Sequence, residues 1–177
     1  MKLVLAITGA SGIQYGIRLL GHIKSYNQEV KLIISTGAKK VAEAENQTLP
    51  KADYDEFDLS APCASGSNPP DALIICPCSL KTLGEIANGV GSSLISRTAE
   101  VCLKERKNLI LVIRETPYSL ITIKNMGRIT LAGGIILPAS PAFYHQPKKI
   151  DDLIDFICGK IFDQLQIKHN LFKRWGE

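Results

Sequence analysis

The 177-residue sequence predicts a single-domain α/β protein built on a doubly wound, mostly parallel sheet. Apolar runs rich in Val, Ile and Leu alternate with amphipathic helical patterns along the chain. The runs are nearly continuous, as strands are when helices cover both faces of a sheet. No linker, repeat or low-complexity stretch divides residues 1–177, so one domain is expected.

The elements follow in order. KLVLAI (2–7) is a strand, and IQYGIRLLGHIK (13–24) is a helix with Ile13, Ile17, Leu20 and Ile23 on one face. EVKLIIS (29–35) is the second strand and AKKVAEAE (38–45) the second helix. The longest break, 46–70, has the length of a functional or disordered loop. DALIICP (71–77) is the third strand, and Ser79 caps the helix opened by SLKTLGEIANG (79–89). A helix over 94–106 leads into the strand NLILVIR (108–114). A helix after Pro117, the strand GGIILP (133–138) and a helix from about 150 to 167 complete the chain.

Charge and composition narrow the function. The formal net charge is +4, with basic residues scattered in small clusters, which suits anionic small molecules better than nucleic acid. No stretch reaches the ~20 apolar residues of a membrane helix, and the apolar run after Lys2 is too short for a signal peptide. Five cysteines, an odd count, fit a reduced, cytoplasmic protein. CPC (76–78) has no partner pair elsewhere, so no zinc site is expected.

In open parallel sheets the ligand lies beyond the carboxyl ends of the strands. The segments expected there are Thr8–Gly12, Ser35–Gly37, Cys78–Thr82, Arg114–Pro117 and Pro138–Tyr144, mostly rich in hydroxyls or charge. Gly9, Gly12 and Gly16 form neither the dinucleotide glycine pattern nor a Walker loop. The helix start that follows them still suits an anion. The second strand ends in Ser35, Thr36 and Gly37, without the acid a dinucleotide ribose needs, so a mononucleotide such as FMN fits better. Arg114 and Glu115 end the fourth strand; a Glu held near an Arg stays ionised and can accept a proton.

With those residues in view, the chain resembles the flavin prenyltransferases of the UbiX type over nearly its whole length. The stretches that carry the likeness are TGASGIQYGIRLL, LIIS, ASGS, ICPCSLKTL, RTAEVCLKERKNLILVIRETP, ILPASPAFYHQP and RWGE. The resemblance implies a Rossmann-like, flavodoxin-like flavoprotein. It implies that reduced FMN is bound as substrate and that a dimethylallyl group passes from dimethylallyl monophosphate to flavin N5 and C6. It also implies a homododecamer with sites between subunits, no metal, and delivery of prenylated FMN to a UbiD-type decarboxylase. By the same resemblance Gly9, Ala10, Ser11, Ser35, Ser79, Leu80, Lys81, Thr82 and Arg114 match flavin-binding positions. Tyr144, Lys160 and Lys104 match positions that hold the allylic phosphate. Glu115 and Ser11 match positions linked to proton handling, and Glu45 and Arg97 match polar positions near the site.

Two positions depart from the pattern. Lys160 stands where many relatives carry Arg, which keeps the charge and loses the bidentate fork. Leu59 stands where some relatives carry a tryptophan, and Phe57 is the nearest aromatic. Nothing in the linear order joins Lys160 to the strand ends, so a ligand contact there would cross a subunit boundary. In chemical terms Lys104, Tyr144 and Lys160 would stabilise the departing phosphate, the task magnesium performs in diphosphate-using enzymes. Glu115 would relay the released proton, through Ser11 or the phosphate. Two other functions use the same architecture. One is an FMN-dependent cysteine decarboxylase, whose usual early His and Asn after the third strand are missing here. The other is a non-catalytic flavin carrier.

Overall fold

A computed structural model describes residues 1–176 of the chain. Five parallel strands form one sheet: β1 (Lys2–Ile7), β2 (Glu29–Ile34), β3 (Ala72–Cys78), β4 (Asn108–Ile113) and β5 (Ile135–Ile136), in the order β2-β1-β3-β4-β5. The winding reverses between β1 and β3, so the crevice of an open α/β sheet falls beyond their carboxyl ends.

Alternation of side chains along each strand divides the core into two layers. Leu3, Leu5, Ile7, Ile74 and Cys76 face α1 (Ile13–Ser25), α2 (Thr36–Ala44) and α6 (Ile150–Gln164). Val4, Ala6, Leu73, Ile75 and Leu111 face α3 (Leu80–Ala87), α4 (Leu94–Lys104) and α5 (Leu120–Leu131). The sheet is therefore covered on both sides, as the continuous apolar strands require. On the first side α1 and α6 are joined by Asp155, which accepts two hydrogen bonds of 2.7 Å from Arg18 and lies 2.6 Å from His22.

Some boundaries differ from the sequence expectation for local reasons. The α2 helix begins at Thr36 instead of 38 because Ser35 is its cap, its hydroxyl accepting from the Ala38 N–H at 3.0 Å. The fifth strand is short because Gly133, at φ 96, still belongs to the turn that ends α5. Leu137 and Ala139 nevertheless continue its pairing to Leu111 and Ile113. The register shifts between Ile75 and Cys78, so Cys76 and Cys78 enter opposite core layers. Two fully buried thiols on opposite faces of a sheet cannot share one zinc ion, and burial pushes both well above the usual cysteine range.

Among the described residues, His22, Asp155 and Cys158 bring ligand atoms within 4.8 Å of one another. The Arg18 guanidinium already occupies that carboxylate, so the group is an ion-paired helix contact. No helix of the described residues is long and apolar enough to cross a membrane.

Candidate functional site

A cleft of about 400 Å³ opens at the carboxyl edge of β1, β2, β3 and β4. Gly9, Ser35, Ser79, Leu80, Lys81, Thr82 and Glu115 line it, together with Thr36, Gly37 and Phe57. The turns after β1 and β2 meet backbone to backbone there. A Cβ at Gly9 would stand 2.9 Å from the Gly37 carbonyl carbon, so glycine at position 9 lets the two turns close on each other.

Threonine and serine hydroxyls fix the walls. The Thr8 hydroxyl donates to the Pro77 carbonyl at 2.9 Å and accepts from the Ser79 N–H at 2.8 Å, which stitches β1 to the start of α3. Ser79 caps α3 by accepting from the Thr82 N–H at 3.3 Å. The first turns of α2 and α3 both open on the cleft, and such turns carry N–H groups without intrahelical partners. At α2 the Thr36 N–H already bonds Glu56 and the Ala38 N–H bonds Ser35, so the start of α3 offers a phosphate or a polar ring edge the freer donors.

The turn before α1 works differently from the sequence expectation. Its first amides do not wait for an anionic ligand. Gly12 N–H and Ile13 N–H donate to the Glu45 carboxylate at 2.8 and 3.1 Å. Gly12, at φ 93, has no side chain to cap the helix, and Glu45 from the end of α2 supplies the carboxylate instead. Burial alone would raise the Glu45 pKa. Hydrogen bonds from Ser11, Gly12 and Ile13, with the charge of Arg114, overcome this and hold it below the ordinary glutamate range.

Arg114 and Glu115 do not pair with each other, because successive residues at a strand end point to opposite faces. Arg114 donates from Nε to the Ser11 carbonyl at 3.0 Å, on the α1 side. Glu115 lies in the cleft and accepts from the Thr116 N–H at 3.0 Å. Three carboxylates line the cleft, and their surroundings separate them. Glu56 is buried and accepts from both the N–H and the hydroxyl of Thr36. Glu85 pairs with Lys81 at 3.5 Å and accepts from Ser92 at 2.9 Å. Glu115, with its one local bond among the described residues, is the carboxylate left to exchange a proton with a ligand.

The remaining expected residues lie elsewhere on the chain. Lys104 ends α4, just before β4 begins, and is therefore at the opposite edge of the sheet, paired with Glu105. Arg97, midway along α4, donates to the Ala64 carbonyl at 3.1 Å and to Glu100 at 3.0 Å. Lys160, near the end of α6, pairs with Asp163 at 3.2 Å. Tyr144 lines a second cleft of about 430 Å³ with His145, Lys173, Arg174 and Trp175. A single chain thus brings Gly9, Ser35, Ser79, Leu80, Lys81 and Thr82 of the expected flavin-binding positions to one cleft, keeps Ala10, Ser11 and Arg114 off its walls with Ser11 and Arg114 bonded to each other, and leaves the expected phosphate-binding positions on other faces. Glu56 lines the cleft and has no counterpart in the sequence reading, where the long 46–70 break is the one signal pointing toward it, whereas Thr8, in the expected strand-end segment, braces the wall.

The fold, the hydroxyl-capped helix starts and the missing ribose acid define a mononucleotide-binding flavoprotein, and the Flavoprotein family model matches residues 1–162. The chain is 45% identical to the flavin prenyltransferase UbiX of Aquifex aeolicus, covering 98% of each chain. Among solved structures it is similar to AnUbiX (PadA1) in complex with FMN and dimethylallyl pyrophosphate, with 42% identity, TM-score 0.95 and coverage of 99% of this chain and 97% of that one. It is also similar to a dodecameric FMN-dependent UbiX-like decarboxylase from Escherichia coli O157:H7, with 35% identity, TM-score 0.94 and full coverage of both chains. The chain belongs to the UbiX family of flavin prenyltransferases.

Proposed function

We propose that the protein transfers the dimethylallyl group of dimethylallyl monophosphate to N5 and C6 of reduced FMN. The observation that carries this reading is the cleft at the sheet switch point. There Glu115, free of the Thr36 hydrogen bonds that hold Glu56 and of the ion pair that holds Glu85, stands among hydroxyl-capped helix starts. A mononucleotide fits this cleft by the chemistry of its donors. The start of α3 and the hydroxyls of Ser35, Ser79 and Thr82 suit a phosphate and polar ring edges. When bound, reduced flavin supplies the electron-rich N5 and C6 that attack an allylic carbon.

The chain's own residues do the rest. The turns at Gly9 and Gly37, closed on each other, would form the backbone wall against which the nucleotide is positioned. The donor's carbon–oxygen bond breaks with its electron pair leaving on phosphate. Lys104, Lys160 and Arg97 supply the positive charge that stabilises this group, and Tyr144 an O–H donor. These side chains lie away from the cleft of their own chain, so the complete site draws on more than one subunit of a homododecamer. The dodecameric relative supports that assembly. Glu115 would relay protons: N5 and C6 each lose one as they bond to the prenyl group, the prenyl double bond takes one up as its other carbon joins C6, and the remaining proton leaves with phosphate. The protein cations perform the task without a metal. The product passes to a UbiD-type decarboxylase in the cytoplasm.

The test is to incubate the protein anaerobically with reduced FMN and dimethylallyl monophosphate, and in parallel with the diphosphate, and to weigh the extracted flavin. A gain of C5H8 is the expected result. Unchanged flavin with decarboxylation of a cysteine peptide would replace this reading with a cysteine decarboxylase, and unchanged flavin with tight binding alone would leave a carrier.

A further inference from the structure

The last helix and the tail after it converge on one carboxylate. Asp163, at the end of α6, accepts from Lys160 Nζ at 3.2 Å, from His169 Nε2 at 3.1 Å and from Arg174 at 2.9 Å. The acceptor positions of a carboxylate are nearly filled by these bonds, since it offers about four lone-pair sites. Burial would raise the Asp163 pKa, but the bonds from Arg174, Lys160 and His169 hold it down at about 2. The carboxylate is therefore a fixed negative charge between two fixed cations, and the cluster keeps an excess of positive charge.

Packing directs the tail to the same place. A Cβ at Gly159 would come 2.5 Å from the Phe172 ring and 2.6 Å from His169, so glycine there lets the tail lie against α6. Phe172 packs against Phe156 at 4.7 Å with the rings tilted by 43°, and Arg174 sits 5.6 Å over the Phe172 ring. The tail then carries Trp175 to an edge-on contact with Tyr144 at 5.3 Å, closing the wall of the second cleft. Lys160 and the Tyr144 cleft are thus tied to each other through Asp163.

We propose that Asp163 is a positioning residue for the prenyl donor: it orients Lys160 and anchors the 169–175 tail so that the lysine and the Tyr144 cleft address the same phosphate. The inference rests on the reading that Lys160 and Tyr144 hold the donor phosphate. A lysine on a flexible stem loses rotamer freedom when it binds, and a partner three residues along the helix removes part of that cost in advance.

A double-mutant cycle tests it. Steady-state kinetics with reduced FMN and dimethylallyl monophosphate are measured for the wild type, Asp163→Asn, Lys160→Met and the double variant. Each single change raises KM for the donor about tenfold and leaves FMN affinity unchanged, and the double variant falls well short of the roughly hundredfold product, because the part of the Asp163 effect that runs through Lys160 is already lost. If the two effects multiply in the double variant, Asp163 acts independently of Lys160 and the proposal fails. It fails also if only Lys160→Met moves KM, which leaves the reading of Lys160 standing. If Lys160→Met itself leaves KM unchanged, that reading falls and the proposal falls with it. Should Asp163→Asn not fold, Asp163→Glu runs the same cycle, keeping the charge and moving it by one methylene.

Discussion

Glu45 and Glu115 are both glutamates beside the site turns, and their partners assign them different work. Glu115 is bonded by its neighbour Thr116 and faces the cleft, so its carboxylate can exchange a proton. Glu115→Gln should lower turnover with reduced flavin by about a hundredfold or more while FMN binding persists, which single-turnover assays and flavin titration would check. Glu45 instead closes the start of α1. Its carboxyl is held below the ordinary range in the folded chain despite burial, through Ser11, Gly12, Ile13 and Arg114. The stability this adds is complete above the free glutamate value and is lost as pH falls through the depressed one. Glu45→Gln should therefore lower stability at neutral pH by about 1 kcal/mol and flatten the loss of stability on acidification, as read by urea unfolding across that range.

At the scale of elements, most of the fold was legible, since period and length alone separate the five apolar strands from the helices. What the sequence hid was contact between distant positions. Glu45 reaches Gly12 across 33 residues, and no local pattern marks an acid as the cap of another helix. Regular strand alternation would put Cys76 and Cys78 on one face, and the register shift after Ile75, which no sequence pattern marks, sends them to opposite layers. The adjacent Arg114 and Glu115 read as a pair and part company because a strand end alternates its faces. The flavin-type positions were legible because they sit next to strand ends, whereas Lys104 and Lys160 gained meaning only through family likeness. The close seat of the tail on α6 yields its own prediction. Gly159→Val should cost about 1–3 kcal/mol by overpacking against Phe172 and His169 and should shift the emission of Trp175, the chain's single tryptophan. Unchanged melting and fluorescence would show that the tail is not seated there.

At the scale of the molecule, the proposed site is divided into two halves that lie apart within one chain. The cleft beyond β1 and β3 carries Glu115, while the cluster of Lys160, Asp163 and Tyr144 belongs to α6 and the tail. The α5 helix also leaves Leu120, Ile121, Ile123 and Leu131 exposed, an apolar face of the kind that self-association covers. Light scattering should give a mass near twelve subunits, and Leu120→Asp combined with Ile123→Asp should lower that mass and abolish turnover while FMN binding survives. The most direct measurement mixes two impaired proteins at a donor concentration well below KM. By the proposed roles, Glu115→Gln loses the proton acceptor of the flavin half, and Lys160→Ala loses a cation of the donor half. After the two are dissociated, mixed and reassembled, prenylation of reduced FMN should rise above that of either parent, because some sites then pair an intact Glu115 from one chain with an intact Lys160 from another. A mixture of well-formed hybrid oligomers no more active than its parents would contradict a site shared between subunits.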